Sequence, residues 1–400
     1  MRKSIISILT LLAVVLVVSC SDDDNKAAVK YKLTVTVNLP SDINAADVTD
    51  LKVTVKNQST QEELIADVAN NKAEFTLAGG EYNIMASGSA GKFAINGSKD
   101  QVGVYADTNI SIDMVSAVSS GLIIKEVYYS GAPLPPYYVT DQFIEIYNNS
   151  DKVQYLDNVM IGVVMYMNSK TAVANQPSLW VDGQGNLLDR YPIYNYLMAF
   201  PGTGQSYPLE PGKSVVVAQN AVNHHAQNPN SPVDLSNADW ETFVPGKGDT
   251  DNENVKNLDV IYGNGLAQKD FAMGLFINPL IIAKLPEGTT PADFAADESN
   301  FMAEPTTGRS DLYIMIPSKY VLDAIDIVDG SDAVNYKHIL NVDDAGIVKT
   351  PGSFTGKSIR RKVVSIENGR VKYKDTNNSS VDFLIDQTPT PGVQPTTVDE

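Results

Sequence analysis

Between residues 31 and 115 the chain alternates. Leu33, Val35, Val37 and Leu39 are separated by Lys32, Thr34, Thr36 and Asn38. Successive side chains of a strand point to opposite faces, so a period of two predicts one buried face and one polar face. Leu51, Val53 and Val55 repeat the pattern, as do Ala73, Phe75 and Leu77, then Tyr82, Ile84 and Ala86, then Ile110, Ile112 and Met114. Asn70-Asn71 and Gly79-Gly80 punctuate the runs as turns, because Asn and Gly adopt positive φ cheaply. Short strands at this spacing predict a β-sandwich over residues 30–117.

After a small-residue linker at 116–121 the pattern changes. The stretches 122–128 and 142–148 are apolar runs of strand length, and Val215, Val216 and Val217 follow the turn Leu209-Glu210-Pro211-Gly212. Pro192, Pro201, Pro208, Pro229 and Pro232 rule out a continuous helix from 190 to 235. Only 291–304 is expected to be helical, with Thr290 as cap, Pro291 in the first turn and Asp293 at the positive end. The fold class expected is therefore all-β: two β-sandwich domains in tandem, the second (121–393) enlarged by long loops and a short helix, with 394–400 as a C-terminal tail.

The N-terminus changes where this fold is expected to sit. Arg2 and Lys3 precede a largely apolar stretch at 5–18, which as a helix would rise about 21 Å, short of the ~30 Å hydrocarbon core. This is a secretory signal rather than a span. Ser19 stands directly before Cys20, the sole Cys of 400 residues, and Ser21, Asp22, Asp23 and Asp24 follow. The arrangement resembles the lipobox of bacterial lipoproteins, and that resemblance implies a signal peptide at 1–19, an acylated Cys20 and a tether at 20–29. Two or more acyl chains anchor stably, at ~0.8 kcal/mol per buried methylene. The acidic run resembles the surface-export signal of Bacteroidetes lipoproteins, implying an outer-membrane protein that faces the cell exterior. Removal of Arg2 and Lys3 with the signal takes the net charge from −18 to −20. So acidic a chain repels nucleic acid, and a single Cys excludes an internal disulfide.

Two further resemblances concern the body of the chain. Residues 72–88, KAEFTLAGGEYNIMASG, resemble the small prealbumin-like or carboxypeptidase-regulatory-like modules of bacterial surface proteins, which are usually spacers. The second resemblance settles the meaning of Gly356-Lys357-Ser358. A phosphate loop needs a Gly five residues before its Gly-Lys-Ser so that backbone N–H groups wrap the phosphate, but Pro351 stands there and β-branched residues follow. Instead, four pieces in order resemble a lamin-tail domain, an immunoglobulin-like sandwich. They are Ile123-Ile-Lys-Glu-Val-Tyr-Tyr129, Phe143-Ile-Glu-Ile-Tyr-Asn-Asn149, Leu209-Glu-Pro-Gly-Lys-Ser-Val-Val-Val217 and Gly356-Lys-Ser-Ile-Arg-Arg361. Lys125 occupies a position where that family usually has Asn. Arg360 or Arg361 is expected to pair with Glu126 or Glu145 across strands. The whole layout resembles a family of uncharacterised Bacteroidetes outer-membrane lipoproteins.

Candidate chemistry is sparse. His224-His225 would point apart on a strand or helix, so the pair is read as a surface-loop feature and not a metal site. Asp249, Asp251 and Glu253 alternate as in calcium loops, but Asn254 stands where an EF-hand needs Gly. No cofactor is expected, with a structural calcium left open. Met160, Met165 and Met167 are read as strand packing. No G-x-S-x-G occurs and no carboxylate pair stands out, so no catalysis is expected. Tyr137, Tyr138, Trp180, Tyr191, Tyr194 and Tyr196 are the candidate binding residues, since rings on loops bury area at low entropy cost. The expected function is capture of an extracellular ligand at the cell surface, with an outer-membrane transporter as candidate partner. Adhesion to a host protein or glycan is the alternative, and hydrolysis a weaker one.

Overall fold

Alternating strands need one partner layer, whereas continuously apolar strands need two, and the chain contains both kinds. The computed structural model describes residues 29–60, 62–91, 93–118, 120–165, 180–264, 269–305, 308–329 and 338–399. The lipidation and export residues Cys20, Ser21, Asp22, Asp23 and Asp24, together with Met167, lie outside them.

In the first sandwich, Lys30–Asn38 lies between Lys72–Ala78 and the parallel strand Thr108–Asp113. Facing this sheet is a five-stranded one, ordered Glu63–Asp67, Val48–Asn57, Gly80–Ala90, Phe93–Val104 and Val115–Val118. Leu33, Val35, Phe75, Val53, Ile84, Ile95 and Ile112 fill the space between. All but Ile95 are residues the period of two assigns to the inner face.

The second sandwich pairs larger sheets. One has seven strands, ordered Lys256–Asn257, Trp240–Glu241, Ser214–Ala218, Phe143–Asn148, Leu122–Tyr128, Ser358–Arg361 and Phe383–Gln387. The other is built around Arg190–Ala199, Val159–Val164, Ile277–Lys284 and Val321–Asp329. Ile124, Ile146 and Val217 of the first sheet pack against Ile161, Met198, Leu280 and Ile325 of the second. Both outer faces are covered as well. The hairpin Val363–Glu367 with Arg370–Tyr373 packs on Ile123 and Tyr147, while the turn of helix Pro291–Ala296 covers Ile281 and Leu197 through Phe294. That double coverage is why Leu122–Tyr128 and Phe143–Asn148 are buried at every position.

The expected helix begins where predicted: Thr290 and Asp293 form a reciprocal capping box and Pro291 opens the first turn. It ends sooner, at Ala296, because Asp297 caps a separate single turn that leads into the strand Phe301–Ala303. Gly356-Lys357-Ser358 leads into a strand, not a helix. Gly356 has φ +66° and a Cβ there would lie 2.9 Å from Pro133, so the position requires glycine.

A lysine-lined cleft between the two sandwiches

The six candidate rings do not form one face. Trp180 is 3% exposed and meets Tyr313 edge-on at 5.4 Å; Tyr191 and Tyr196 are each 2% exposed. The Tyr191 hydroxyl donates to Asp343 at 2.5 Å and accepts from Leu340 N–H, so a polar partner inside the protein takes the place of a ligand. Tyr196 belongs to the central core and Tyr194 packs on it half-buried. Their segment is not a loop: Arg190–Ala199 is an interior strand in spite of Pro192. Tyr138 is half-buried, its hydroxyl 2.7 Å from His224 Nδ1. Only Tyr137, 66% exposed, has its ring at the surface.

The other candidates are likewise drawn into structure. His224 is buried, not a surface residue; its Nε2 donates to the Asn220 carbonyl at 2.8 Å and burial lowers its pKa, leaving a neutral ring. His225 Nδ1 donates to Ser231 O. Asp249 accepts from Val244 and Thr250 N–H, and Asp251 from Asn257. Among the described residues no group of three or more His, Cys, Asp or Glu is arranged to hold a metal. Arg360 and Arg361 do not pair with Glu126 or Glu145. Glu126 is occupied by Ser358 Oγ and Thr390 N–H, and Glu145 by Lys125. Arg360 instead makes a two-pronged pair with Asp399, and Arg361 turns to Asp323, Asp375 and Asp382.

The concave site lies elsewhere, on the face of the first sandwich that alternation assigns to water. Asn83 and Met85 alternate with the core residues Tyr82, Ile84 and Ala86, and Lys56 and Thr54 share their side of the neighbouring strand. This face abuts the second sandwich. Asn96 Nδ2 donates to Thr376 O at 3.2 Å, Asn341 Nδ2 to Ser98 Oγ at 3.3 Å, and Ser380 Oγ contacts Met85 Sδ at 2.9 Å. Beside these contacts a cleft of about 330 Å³ opens.

One wall carries Lys56, Gln58 and Asn83, with the Gln58 amide donating to Asn83 Oδ1 at 2.7 Å. The other carries Lys349, Lys362, Ser379 and Ser380, with Ile347, Leu384 and Ile385 as apolar surface. Gly346 lets the backbones close up here, since a Cβ would fall 2.3 Å from Asn378 Oδ1 and 2.4 Å from Ser380 N. Among the described residues, three lysines and no carboxylate line the cleft, in a chain with 48 acidic and 30 basic residues. Among the described residues Lys56 and Lys362 form no ion pair, although Glu63 is the register partner of Lys56. Behind Lys362, burial and the neighbouring Lys362 and Lys52 together lower the Lys374 pKa, against the opposing pull of Asp382 and Glu63. The Ser379 hydroxyl is buried and has no hydrogen-bond partner among the described residues. Sequence reasoning missed the site because its walls come from residues some 300 positions apart.

Part of the chain, including one wall of the cleft, is similar to a known family. Residues 210–390 match the model of a family described as a protein of unknown function, DUF4876. That span includes the whole second wall of the cleft. Among solved structures, the chain is similar to the crystal structure of a DUF4876 family protein from Bacteroides thetaiotaomicron VPI-5482. The likeness has a TM-score of 0.60 and 26% identity, and covers 92% of this chain and 99% of that one. No curated protein matches.

Proposed function

We propose that this chain is a lipid-anchored binding protein of the outer bacterial surface, with its ligand seat in the cleft between the two sandwiches. The observation that carries the reading is the cleft itself: concave, lysine-lined and free of carboxylates on an otherwise acidic molecule. Ligand sites favour such junctions between structural units. The anchor is acylated Cys20, the acidic run at 21–24 directs export, and the first sandwich serves as a stalk. The second is a lamin-tail-like sandwich; in support, strands from its four matching pieces are consecutive neighbours in one sheet, Ser214–Ala218, Phe143–Asn148, Leu122–Tyr128 and Ser358–Arg361. Transfer of the ligand to an outer-membrane transporter fits the location.

Adhesion is the second reading. It draws on exposed Leu134 and Tyr137, which flank two prolines at the rim of the second sandwich.

The test is fractionation followed by purification from native membranes. The intact chain is expected in the outer-membrane fraction and accessible to protease added to whole cells, whereas Cys20→Ala leaves that fraction. Retention of Cys20→Ala in the membrane, or protection of the intact chain, contradicts the surface-anchor reading. A stoichiometric transporter identified by mass spectrometry supports uptake, and its absence moves the weight to adhesion.

A further inference from the structure

We infer that the cleft selects a small hydroxylated organic anion, an acidic sugar of one or two rings, over its neutral counterpart. This rests on the cleft being the ligand seat, as proposed above, and adds the ligand's chemistry. Lys56, Lys349 and Lys362 supply ammonium groups from both walls. Among the described residues neither Lys56 nor Lys362 is held in a close ion pair, although Asp399 feels the charge of Lys362 and Glu63 stands opposite Lys56 in register. Lysine heads are compact point charges on flexible stems and suit a carboxylate or phosphate reached from several sides. Net repulsion from the acidic remainder of the molecule disfavours large polyanions, so a small anion is the better fit.

The other lining groups define the rest of the ligand. Gln58, Asn83 and Ser380 add amide and hydroxyl groups to the walls, and the Ser379 hydroxyl, which has no hydrogen-bond partner among the described residues, lies beside Ser380. Ile347, Leu384 and Ile385 give apolar surface for the C–H face of a ring. A volume of about 330 Å³ is at the small end of ligand pockets, roughly 300–1,000 Å³, which suits one or two rings and not an extended chain. The anionic group could be a carboxylate or a phosphate ester, and the test separates them.

The test is calorimetric titration of the full-length protein with galacturonate, galactose 6-phosphate, neutral galactose and inorganic phosphate. At least one of the two sugar acids is expected to bind, at least tenfold tighter than galactose and tighter than inorganic phosphate, with affinity falling as salt rises. Preference for galacturonate assigns the anion as carboxylate, and preference for galactose 6-phosphate as phosphate. Lys56→Gln and Lys362→Gln should each weaken binding about tenfold, while Lys247→Gln, on the exposed surface, should not change it. Asn83→Trp, which fills the cleft, should abolish binding; unaltered melting curves establish that each variant folds.

Failures are distinguishable. If galactose binds as well as the acids and Asn83→Trp abolishes it, the anion selectivity is wrong while the cleft stands as the seat. Binding that survives Asn83→Trp overturns the cleft for both proposals. If none of the sugar acids binds, the inference fails, and copurification decides the broader reading by itself.

Discussion

Lys125 Nζ lies 2.6 Å from Glu145 Oε1, and neither side chain reaches solvent. The ammonium also donates to Val393 O at 2.7 Å, and Glu145 accepts from Ser214 Oγ and Gly392 N–H. The pair thus joins two adjacent strands to a segment some 250 residues further along. Removing one member strands a buried charge, at a cost of about 3–5 kcal/mol. Lys125→Met should therefore destabilise by that amount in urea unfolding, and Lys125→Met with Glu145→Leu should recover much of it. A single-variant cost below about 1 kcal/mol contradicts the structural role of the pair.

Asp157 supports the loop after Phe200. Burial raises its pKa, but N–H groups of Ser206, Tyr207 and Gly204 at 2.7, 2.8 and 2.9 Å outweigh that and hold it down at about 2. A depressed folded pKa means stability that is present above the ordinary value of 3.8 and lost as pH falls toward 2. Asp157→Asn should cost about 2 kcal/mol at neutral pH, and the gap from the natural protein should close on acidification through that window. A constant gap from pH 6 to pH 2 contradicts this account. Gly202→Ala tests the same contact sterically, because a Cβ there would lie 2.2 Å from Asp157 Oδ1.

Asp323 behaves in the opposite sense. Three buried or nearly buried carboxylates, Asp323, Asp375 and Asp382, share the Arg361 guanidinium. Burial pushes Asp323 up to about 7, opposed by Arg361 and reinforced by Asp375. A raised folded pKa gives stability that is full below the unfolded value near 3.8 and lost as pH rises through about 7. Asp323→Asn should flatten that decline between pH 4 and pH 7 in chemical unfolding. An unchanged slope assigns the decline to other groups.

The all-β class was legible because β periodicity survives in sequence wherever a strand has one covered face, as in Lys30–Asn38. The strand character of Ser358–Arg361 was legible as well, since Pro351 and the β-branched residues following Lys362 are incompatible with a phosphate loop and helix. The aromatic residues misled. Trp180 and Tyr191 stand near prolines and polar residues, so they read as loop rings, yet the turn at 340–343 satisfies the Tyr191 hydroxyl and neighbouring strands enclose both rings. The cleft was hidden for a different reason. Alternation assigns Lys56 and Asn83 to a non-core face without saying that a second sandwich stands over it. Strand logic alone pairs Arg360 or Arg361 with Glu126 or Glu145, whereas Arg361 finds Asp323 on a strand of the other sheet and Asp375 and Asp382 in the stretch that follows its own hairpin.

The clamped C-terminal segment sets an order of events. Thr390 N–H caps Glu126, Gly392 N–H and Val393 O complete the Glu145–Lys125 pair, and Asp399 holds Arg360 and the Val363 N–H. Without residues 390–399 the central strands of the larger sheet would carry buried charges with part of their hydrogen-bonding shell missing. None of these contacts involves the first sandwich. Consolidation of the second sandwich therefore waits on a segment some 250 residues beyond its central strands, whereas the first does not.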